Sequence, residues 1–385
     1  MPYYKPLKRI PKSDRIPIIE GLERIREQFI IDKFPEKQMS KSIILGTWNI
    51  RNFDDNRFNF GPRTLESMYY IAEIISKFDV IAVQEICVDL KPLKKLMWLL
   101  GDHYDFIVTD VTHSSIGGNN ERLGFIYDKS KVQFNGVAGE IVLPNKLAIS
   151  EVYNKKRQFS RTPFGVEFQS GWFKFYFSTV HIYFGSNSQS SKLYERRVKE
   201  IETVAKYLKK EAKNSDSNHI LVGDFNIKEK NSKGFNALEE NGFSIVKNRL
   251  GSNRDQTKFY DQISFRSKKN ELKLIDPNRN NRVFQFFNSV YRDSDFINYK
   301  DILIKTIKDK RQIECKELKN TNSQTKIKRL KNKINKLDLA LSSDTNLNKY
   351  YKEWRTFQMS DHLPLWVEIE IDFSSQYLKY LKKVY

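Results

Sequence analysis

The chain has too few cysteines for a disulfide framework and no apolar run long enough to cross a membrane. Only two of its 385 residues are cysteine, and nowhere do about eighteen apolar residues follow one another. The first forty residues carry charges throughout and contain no continuous apolar segment of the signal-peptide type. These absences predict a soluble, cytoplasmic protein that works in a reducing compartment and does not associate with a membrane.

Histidine is scarce, whereas positive charge is in excess. The chain has five histidines, and 67 Lys and Arg stand against 47 Asp and Glu, for a formal net charge of +20. Basic side chains that neutralise phosphates release condensed counterions, so this charge favours binding to a polyanion. Lysine is abundant everywhere, and a solvated surface is the plainer explanation for most of it. Residues 300–336 stand out, with thirteen Lys or Arg and four Asp or Glu, a net +9.

Apolar runs of strand length alternate with amphipathic segments between residues 43 and 371. A hydrophobic content of 39% is enough for one large core without disulfides. Strands interleaved with helices, several of them apolar on both faces, indicate an α/β (α+β) fold in which helices cover sheets. Residues 1–42 are predicted to be an N-terminal extension and 372–385 a C-terminal tail. The predicted strands are Ile43–Ile50, Val80–Ile86, Tyr104–Val108, Leu123–Tyr127, Phe164–Phe168, Trp172–Tyr183, His219–Phe225, Phe259–Phe265 and Leu365–Ile371.

One long segment, about residues 276–350, departs from this alternation. Within it, apolar residues at near-heptad spacing predict a basic antiparallel helical hairpin over about 300–341, with its turn in the polar stretch 320–325. Three roles are open for the hairpin: a self-packed appendage with a solvated lysine surface, a clamp for nucleic acid, or a dock for a protein partner. The residues of the predicted seam are Ile304, Ile307, Cys315, Leu318, Ile327, Leu330, Ile334, Leu337 and Leu341.

Five motifs follow one another along the chain, and each joins polar groups to an apolar, strand-like run. Together they resemble the endonuclease/exonuclease/phosphatase superfamily, and in particular its deoxyribonuclease I-like branch. The resemblance implies a four-layer αββα sandwich of two mixed β-sheets, into which the helical hairpin is inserted. The motifs are TWNIR at Thr47–Arg51, VIAVQEI at Val80–Ile86, STVHIYF at Ser178–Phe184, LVGDFNI at Leu221–Ile227 and MSDHLPLW at Met359–Trp366.

Glu85 ends an apolar strand, where a carboxylate gains nothing from burial unless it binds a cation. A hard divalent ion such as Mg²⁺ prefers a few carboxylate oxygens and retains several waters. The resemblance implies that Glu85 is the principal ligand of Mg²⁺, or of Mn²⁺ in its place, with Asn49 beside it and Asp361 as a further ligand. Taken alone, Glu85 would be read as a surface acid at a strand end.

Asp224 and Asn226 alternate with Phe225, so along a strand both face one side while Phe225 faces the core. The resemblance assigns Asp224 to orienting or deprotonating the attacking water and Asn226 to holding the phosphate. An Asp and an Asn so spaced in a turn otherwise commonly close a loop or cap a helix.

Two histidines lie in the motifs, His181 in STVHIYF and His362 in MSDHLPLW. Histidine changes its proton state near neutral pH, and either ring nitrogen can donate to a phosphate. The resemblance pairs each histidine with a carboxylate that orients it: Asp261, in FYDQISF, with His362, and Glu121, in NNERLGFIYD, with His181. Which of Asp224 and the two histidines serves as base, and which as acid, stays open.

Two arginines are candidates for contact with substrate. Arg161 precedes a proline in RTPFGVEF and resembles an arginine that reaches a substrate phosphate, and Arg51 ends TWNIR. A planar guanidinium suits this role because it grips phosphate oxygens at two points. Either arginine could instead make a surface ion pair.

The resemblance implies an enzyme, namely a magnesium-dependent phosphodiesterase that hydrolyses nucleic acid, DNA or RNA, and leaves 5′-phosphate ends. An alternative keeps the site but changes the substrate to a small nucleotide, an inositol phosphate or a lipid headgroup, since one fold hosts many functions. A third reading is a non-catalytic nucleic-acid-binding or scaffold protein.

Overall fold

Runs of β-branched and aromatic residues form two large sheets that pack face to face. The computed structural model describes residues 2–53, 56, 58–112, 119–144, 149–150, 156–215, 217–267 and 272–384. Aromatic side chains fill the space between the sheets: the ring of Phe125 lies 5.6 Å from that of Phe164 and 5.1 Å from that of Phe177, measured between centroids.

Among the described residues, the first sheet has five strands in the order β13-β1-β2-β4-β3. β1 and β2 are parallel, and the other neighbours are antiparallel, so the sheet is mixed. Its strands are β1 (Ser42–Phe53), β2 (Val80–Cys87), β3 (Tyr104–Val108), β4 (Glu121–Asp128) and β13 (Leu365–Glu370).

In the part of the chain that the structure describes, the second sheet has six strands in the order β11-β12-β10-β9-β8-β5. It is also mixed, because β9 and β10 are parallel. A separate two-stranded pair is formed by β6 (Ile149–Ser150) and β7 (Lys156–Arg157). The strands of the second sheet are β5 (Gln133–Glu140), β8 (Phe164–Ser170), β9 (Phe173–His181), β10 (Asn218–Asp224), β11 (Ser244–Ile245) and β12 (Asp261–Arg266).

Helices cover the outer face of each sheet and complete four layers. Apolar residues of α1 (Lys12–Ile31), α2 (Leu65–Ile75) and α3 (Lys91–Leu100) join the main core on the side of the first sheet. Those of α4 (Lys192–Glu211) and α5 (Lys233–Glu240) form a second apolar cluster with the outer face of the second sheet. The predicted αββα sandwich of two mixed sheets is confirmed.

The predicted helical hairpin is present as α6 (Lys300–Lys319) and α7 (Gln324–Leu341), and the side chain of Ser323 caps the start of α7. Its buried stripe includes Leu303, a position outside the predicted seam. A third helix, α8 (Asp344–Gln358), packs against both arms of the hairpin and leads directly into the MSDH motif. The buried seam residues are Ile307, Leu330, Ile334 and Leu337, whereas Ile304, Cys315, Leu318, Ile327 and Leu341 are half-buried.

Helical segments lie near both ends of the described part of the chain. The N-terminal segment adds a 3₁₀ turn at Lys5–Arg9 before α1, and α9 (Ser374–Val384) follows the last strand of the first sheet. None of the helices in the described part of the chain combines the length and the apolarity that a bilayer crossing requires.

His219 on β10 should make the stability of the fold sensitive to acid. It is buried beside Tyr176, and neither ring nitrogen has a hydrogen-bond partner among the described residues. Burial, helped by the charge of Arg266, lowers the pKa of His219 from 6.5 to about 4. The unfolded chain therefore binds a proton at this residue from about pH 6.5 downward, and the folded chain does so only near pH 4.

The free energy of unfolding should accordingly be greatest above pH 6.5 and fall by up to about 3 kcal/mol between pH 6.5 and 4 through this residue. Urea unfolding of wild type and His219→Gln across that range measures the effect, because glutamine does not titrate. The variant should lose less stability on acidification; equal slopes in the two proteins would contradict the assignment.

Candidate active site

Three of the predicted site residues lie side by side across the second sheet. Asp224, the last residue of β10, is in register with His181 on the parallel neighbour β9 and with Asp261 on the antiparallel neighbour β12. The strand register alone therefore brings together residues that are separated by up to 80 positions in the chain. All three are buried.

The turn after β10 orients the Asp224 carboxylate. Gly223 has φ +128, and a Cβ there would collide with the carbonyl oxygen of Val180 on β9, so only glycine lets the two strands approach so closely. Asn226, at φ +53, donates its backbone N–H to Asp224 Oδ1 at 2.8 Å and its side-chain Nδ2 to the carbonyl of Ile182 at 2.8 Å. The side-chain nitrogen of Asn226 thus ties the turn after β10 to the segment after β9 in this structure.

The first sheet supplies Asn49 and Glu85 to the same place. Asn49 Nδ2 donates to Glu85 Oε1 at 3.0 Å and to Asp224 Oδ2 at 3.1 Å, which joins the two sheets through one amide group. β2 has a register shift between Val83 and Ile86, and Glu85 has φ +63, so the strand turns its carboxylate out of the regular pleat. The backbone N–H of Asn52 donates to Glu85 Oε2 at 2.8 Å.

His181 is held by a buried carboxylate and a buried guanidinium. Its Nδ1 lies 2.8 Å from Glu121 Oε1, and Arg161 Nε forms an ion pair with the same oxygen. Burial would raise the pKa of Glu121, but the charges of His181 and Arg161 outweigh it and lower that pKa to about 2. Glu121 is therefore a carboxylate over the whole neutral range, and it fixes which nitrogen of His181 faces away from it.

His362 is held in the same manner from the other side. Its Nδ1 donates to Asp261 Oδ2 at 2.7 Å, and Ser252 Oγ donates to that oxygen at 2.7 Å. Burial opposes a charge on the imidazole, but Asp261 and then Asp224 raise the pKa of His362 well above its ordinary value. His362 therefore favours its protonated form in this structure.

The two histidines converge on one oxygen atom. His181 Nε2 lies 3.5 Å from Asp224 Oδ2, and His362 Nε2 lies 3.7 Å from the same oxygen. In each histidine, Nδ1 is engaged by another carboxylate, that of Glu121 or Asp261. The Nε2 atom, which faces Asp224, is therefore the atom that can exchange a proton. Two carboxylate–histidine pairs aimed at a third carboxylate form an arrangement suited to proton transfer and to donation toward phosphate oxygens.

Arg161 and Arg51 are both engaged with protein groups. Besides its ion pair with Glu121, Arg161 donates to the carbonyl of His181 at 3.5 Å. Arg51 lies with its guanidinium 3.8 Å from the ring centroid of Phe357 and with Nε 3.7 Å from Asp361 Oδ1. Asp361 therefore pairs with Arg51, next to the buried histidine centre.

Several supporting residues were missed by the sequence analysis. Gln84 donates from Nε2 to Thr47 Oγ1 at 3.1 Å and to Thr179 Oγ1 at 2.8 Å, which ties the sheets together behind the site. Ser360 Oγ donates to the carbonyl of Asn49 at 2.6 Å and accepts from the backbone N–H of His362 at 3.0 Å. Gln84 and Ser360 lie inside two of the five motifs, and this location is the sequence feature that could have identified them as supporting residues.

The donor atoms fit a hard divalent cation. Two groups have ligand atoms within 4.8 Å of one another: Glu85 with Glu121 and His181, and Asp224 with Asp261 and His362. Glu121 and Asp261 already hold imidazoles, which leaves Glu85 as the carboxylate with most freedom to bind an ion. Asn49 Oδ1 is buried and has no hydrogen-bond partner among the described residues, so an oxygen ligand is at hand beside Glu85.

Comparison with known proteins finds similar folds at low sequence identity. No protein-family model and no curated protein matches the sequence. A mannosyl-6-phosphatase of Bacteroides thetaiotaomicron is 18% identical, over 60% of this chain and 87% of that chain, with a TM-score of 0.44. The human Nocturnin catalytic domain with bound sulfate is 14% identical, over 60% and 85%, with a TM-score of 0.43. TDP2 of D. rerio complexed with a single-strand DNA product is 16% identical, over 62% and 92%, with a TM-score of 0.39.

Proposed function

We propose that this chain, which has the endonuclease/exonuclease/phosphatase fold, is a divalent-metal-dependent phosphodiesterase that acts on nucleic acid. The main support for the proposal is the position of Asp224 Oδ2. This oxygen lies 3.1 Å from Asn49 Nδ2 and within 3.7 Å of the Nε2 atoms of both His181 and His362. A candidate cation ligand, Glu85, is joined to the same group through Asn49. The bound metal and the proton-transfer groups would therefore act on the same scissile phosphate.

The metal would be held by Glu85, with Asn49 and Asp361 as the further predicted ligands and Mg²⁺ as the expected ion. A bound divalent ion would polarise a non-bridging phosphate oxygen and stabilise the leaving oxyanion. Mn²⁺ should substitute, because it accepts the same oxygen ligands.

The protein's own groups would position the phosphate and move protons. Asp224 and the two Nε2 atoms provide an acceptor for the proton of the attacking water and donors for the phosphate oxygens. Glu121 and Asp261 would keep both imidazoles in place by holding Nδ1. In-line attack on phosphorus with departure of the 3′ oxygen would leave a 5′-phosphate on the product.

A nucleic-acid substrate is favoured by the charge of the insertion. Residues 300–336 carry a net +9 and form α6 and most of α7. These two helices pack against α8, which runs directly into the MSDH motif of the site. Lys and Arg near a chain of phosphates strengthen binding through the release of counterions. A small phosphomonoester is too short to contact so extended a basic surface.

The test is incubation of the purified protein with end-labelled single- and double-stranded DNA and RNA, with Mg²⁺ and with excess chelator. Cleavage should require the divalent ion and should produce 5′-phosphate ends, which a ligase or a phosphatase-sensitive mobility shift identifies. Brisk turnover of small nucleotide, inositol or lipid phosphates without cleavage of any polynucleotide would replace the proposed substrate. Lack of turnover of every ester would overturn the proposal of an enzyme.

A further inference from the structure

A groove of about 490 Å³ lies between the inserted helices and the segment after β1. Its walls carry three aromatic rings, those of Phe58, Phe60 and Tyr350. Phe58 is 48% exposed, so a large part of its side chain is open to solvent. We call this feature the basic aromatic groove; its lysines are Lys310, Lys333, Lys336 and Lys349.

The groove lies close to the candidate active site, and a buried stack of side chains stands between the two. Phe60 stacks on Phe357 with ring centroids 4.0 Å apart, and Phe58 lies 5.7 Å from the same ring. The opposite neighbour of Phe357 is Arg51, which is paired with Asp361, the residue directly before the catalytic candidate His362. Phe357 is buried and separates Arg51 from the rings of Phe58 and Phe60, so the exposed Phe58 lies close to the edge of the site.

Positive charge outweighs negative charge along the walls. Four lysines face two acids, Glu314 and Glu353, and Lys333 pairs with Glu314 at 2.7 Å. Lys310 places its ammonium 3.7 Å from the ring centroid of Phe60, and burial lowers its pKa to about 8, so a nearby anion would favour its charged form. Lys336 and Lys349 are exposed, and neither forms an ion pair with a described residue.

We infer that the basic aromatic groove binds the nucleotides that flank the scissile phosphate of a single-stranded nucleic acid, its bases stacking on Phe58 and its phosphates meeting Lys336 and Lys349. The inference rests on the proposed function and specifies its substrate class. Aromatic faces interleaved with lysines suit single strands, because every unpaired base has a face to stack and every linkage has a charge. A paired duplex buries those faces.

Lys336 and Lys349, which form no ion pair with any described residue, allow a matched test. Lys336→Gln/Lys349→Gln removes two charges from the groove, and Lys328→Gln/Lys331→Gln removes two from exposed positions of α7 that do not line it. Each pair is placed in a Glu85→Gln background to suppress cleavage, and binding to a fluorescent single-stranded oligonucleotide is followed by anisotropy against salt. The groove pair should weaken binding roughly tenfold and lower the slope of log K against log salt by about 1.4, whereas the control pair should change the slope by less than half as much.

Phe58 tests the stacking contribution separately. Phe58→Leu keeps an apolar contact with Phe357 but removes the flat face, and it should weaken binding by roughly 5- to 100-fold, while Phe58→Trp should retain it. In proteins with Glu85 intact, kcat/KM for a long oligonucleotide relative to a dinucleotide should fall in the groove pair and not in the control pair.

The outcomes separate the two proposals. Three results would each overturn the groove assignment: equal binding losses in the groove and control pairs, tighter binding of duplex than of single strand, or full affinity in Phe58→Leu. The surface would then be available to another ligand, such as a protein segment. Failure of the wild-type protein to cleave any ester would instead count against the proposed function.

Discussion

Glu85→Gln should reduce magnesium-dependent phosphodiester hydrolysis by roughly 10³-fold or more, because the charge that would hold the cation is removed while the shape of the side chain is kept. Asn49 and the N–H of Asn52 both donate to the Glu85 carboxylate, and glutamine can still accept one of these hydrogen bonds. The fold should therefore survive, with a change in the free energy of unfolding within about 1 kcal/mol.

A second readout does not depend on activity. Binding of Mg²⁺ to the folded state should raise the melting temperature of the wild-type protein, and Glu85→Gln should abolish that increase. Glu140→Gln, which neutralises an exposed acid at the end of β5, is the matched control and should behave as wild type. Full turnover by Glu85→Gln, or by the wild-type protein in excess chelator, would refute the metal assignment.

His362→Gln and Asp261→Asn should each lower kcat by about 10² to 10⁴-fold, and the double variant should be no worse than His362→Gln alone. The reason is that Asp261 acts through the imidazole: its only role in the chemistry would be to hold Nδ1 of His362 at 2.7 Å. Once the imidazole is gone, removal of the carboxylate has nothing further to disrupt. Single-turnover kinetics with saturating oligonucleotide measures the chemical step directly.

A suitable control for these variants is His103→Gln, on the loop before β3 and outside the site. It should leave kcat unchanged. Strictly additive losses in the double variant would mean that Asp261 and His362 act independently. That result would remove the paired arrangement on which the proposed proton transfers depend.

Most strands were predictable because burial on both faces requires long apolar runs. The observed β2, β3 and β10 differ from the predicted strands by at most one residue at either end. β5 was not predicted, since Gln133–Glu140 is an exposed edge strand whose residues have no apolar alternation. α8 was also missed, although Leu347, Tyr350, Tyr351 and Trp354 recur at helical spacing and are buried.

The site residues were recognisable from short motifs, but their contacts were not. Asp224 ends β10, Glu85 lies two residues before the end of β2, and His362 lies in the segment between α8 and β13. Ser252 lies in a polar loop with no apolar run beside it, and only its hydrogen bonds to Asp261 mark it as part of the site. The ion pair between Arg161, in the segment before β8, and Glu121 on β4 likewise joins residues that are distant in the sequence.

The amino-acid sequence by itself determined most of the local elements, through apolar periodicity, and the identity of the groups available for chemistry, through the side chains in each motif. The four-layer arrangement was implied by the resemblance of those motifs to the endonuclease/exonuclease/phosphatase superfamily. Only the tertiary structure decided that Asp224 lies between two imidazoles, that Asn49 joins Glu85 to Asp224, and that aromatic rings extend from Arg51 into the inserted helices. Those relations depend on strand register and on the packing of one sheet against the other, which bring together atoms whose separation along the chain carries no information about their distance in space.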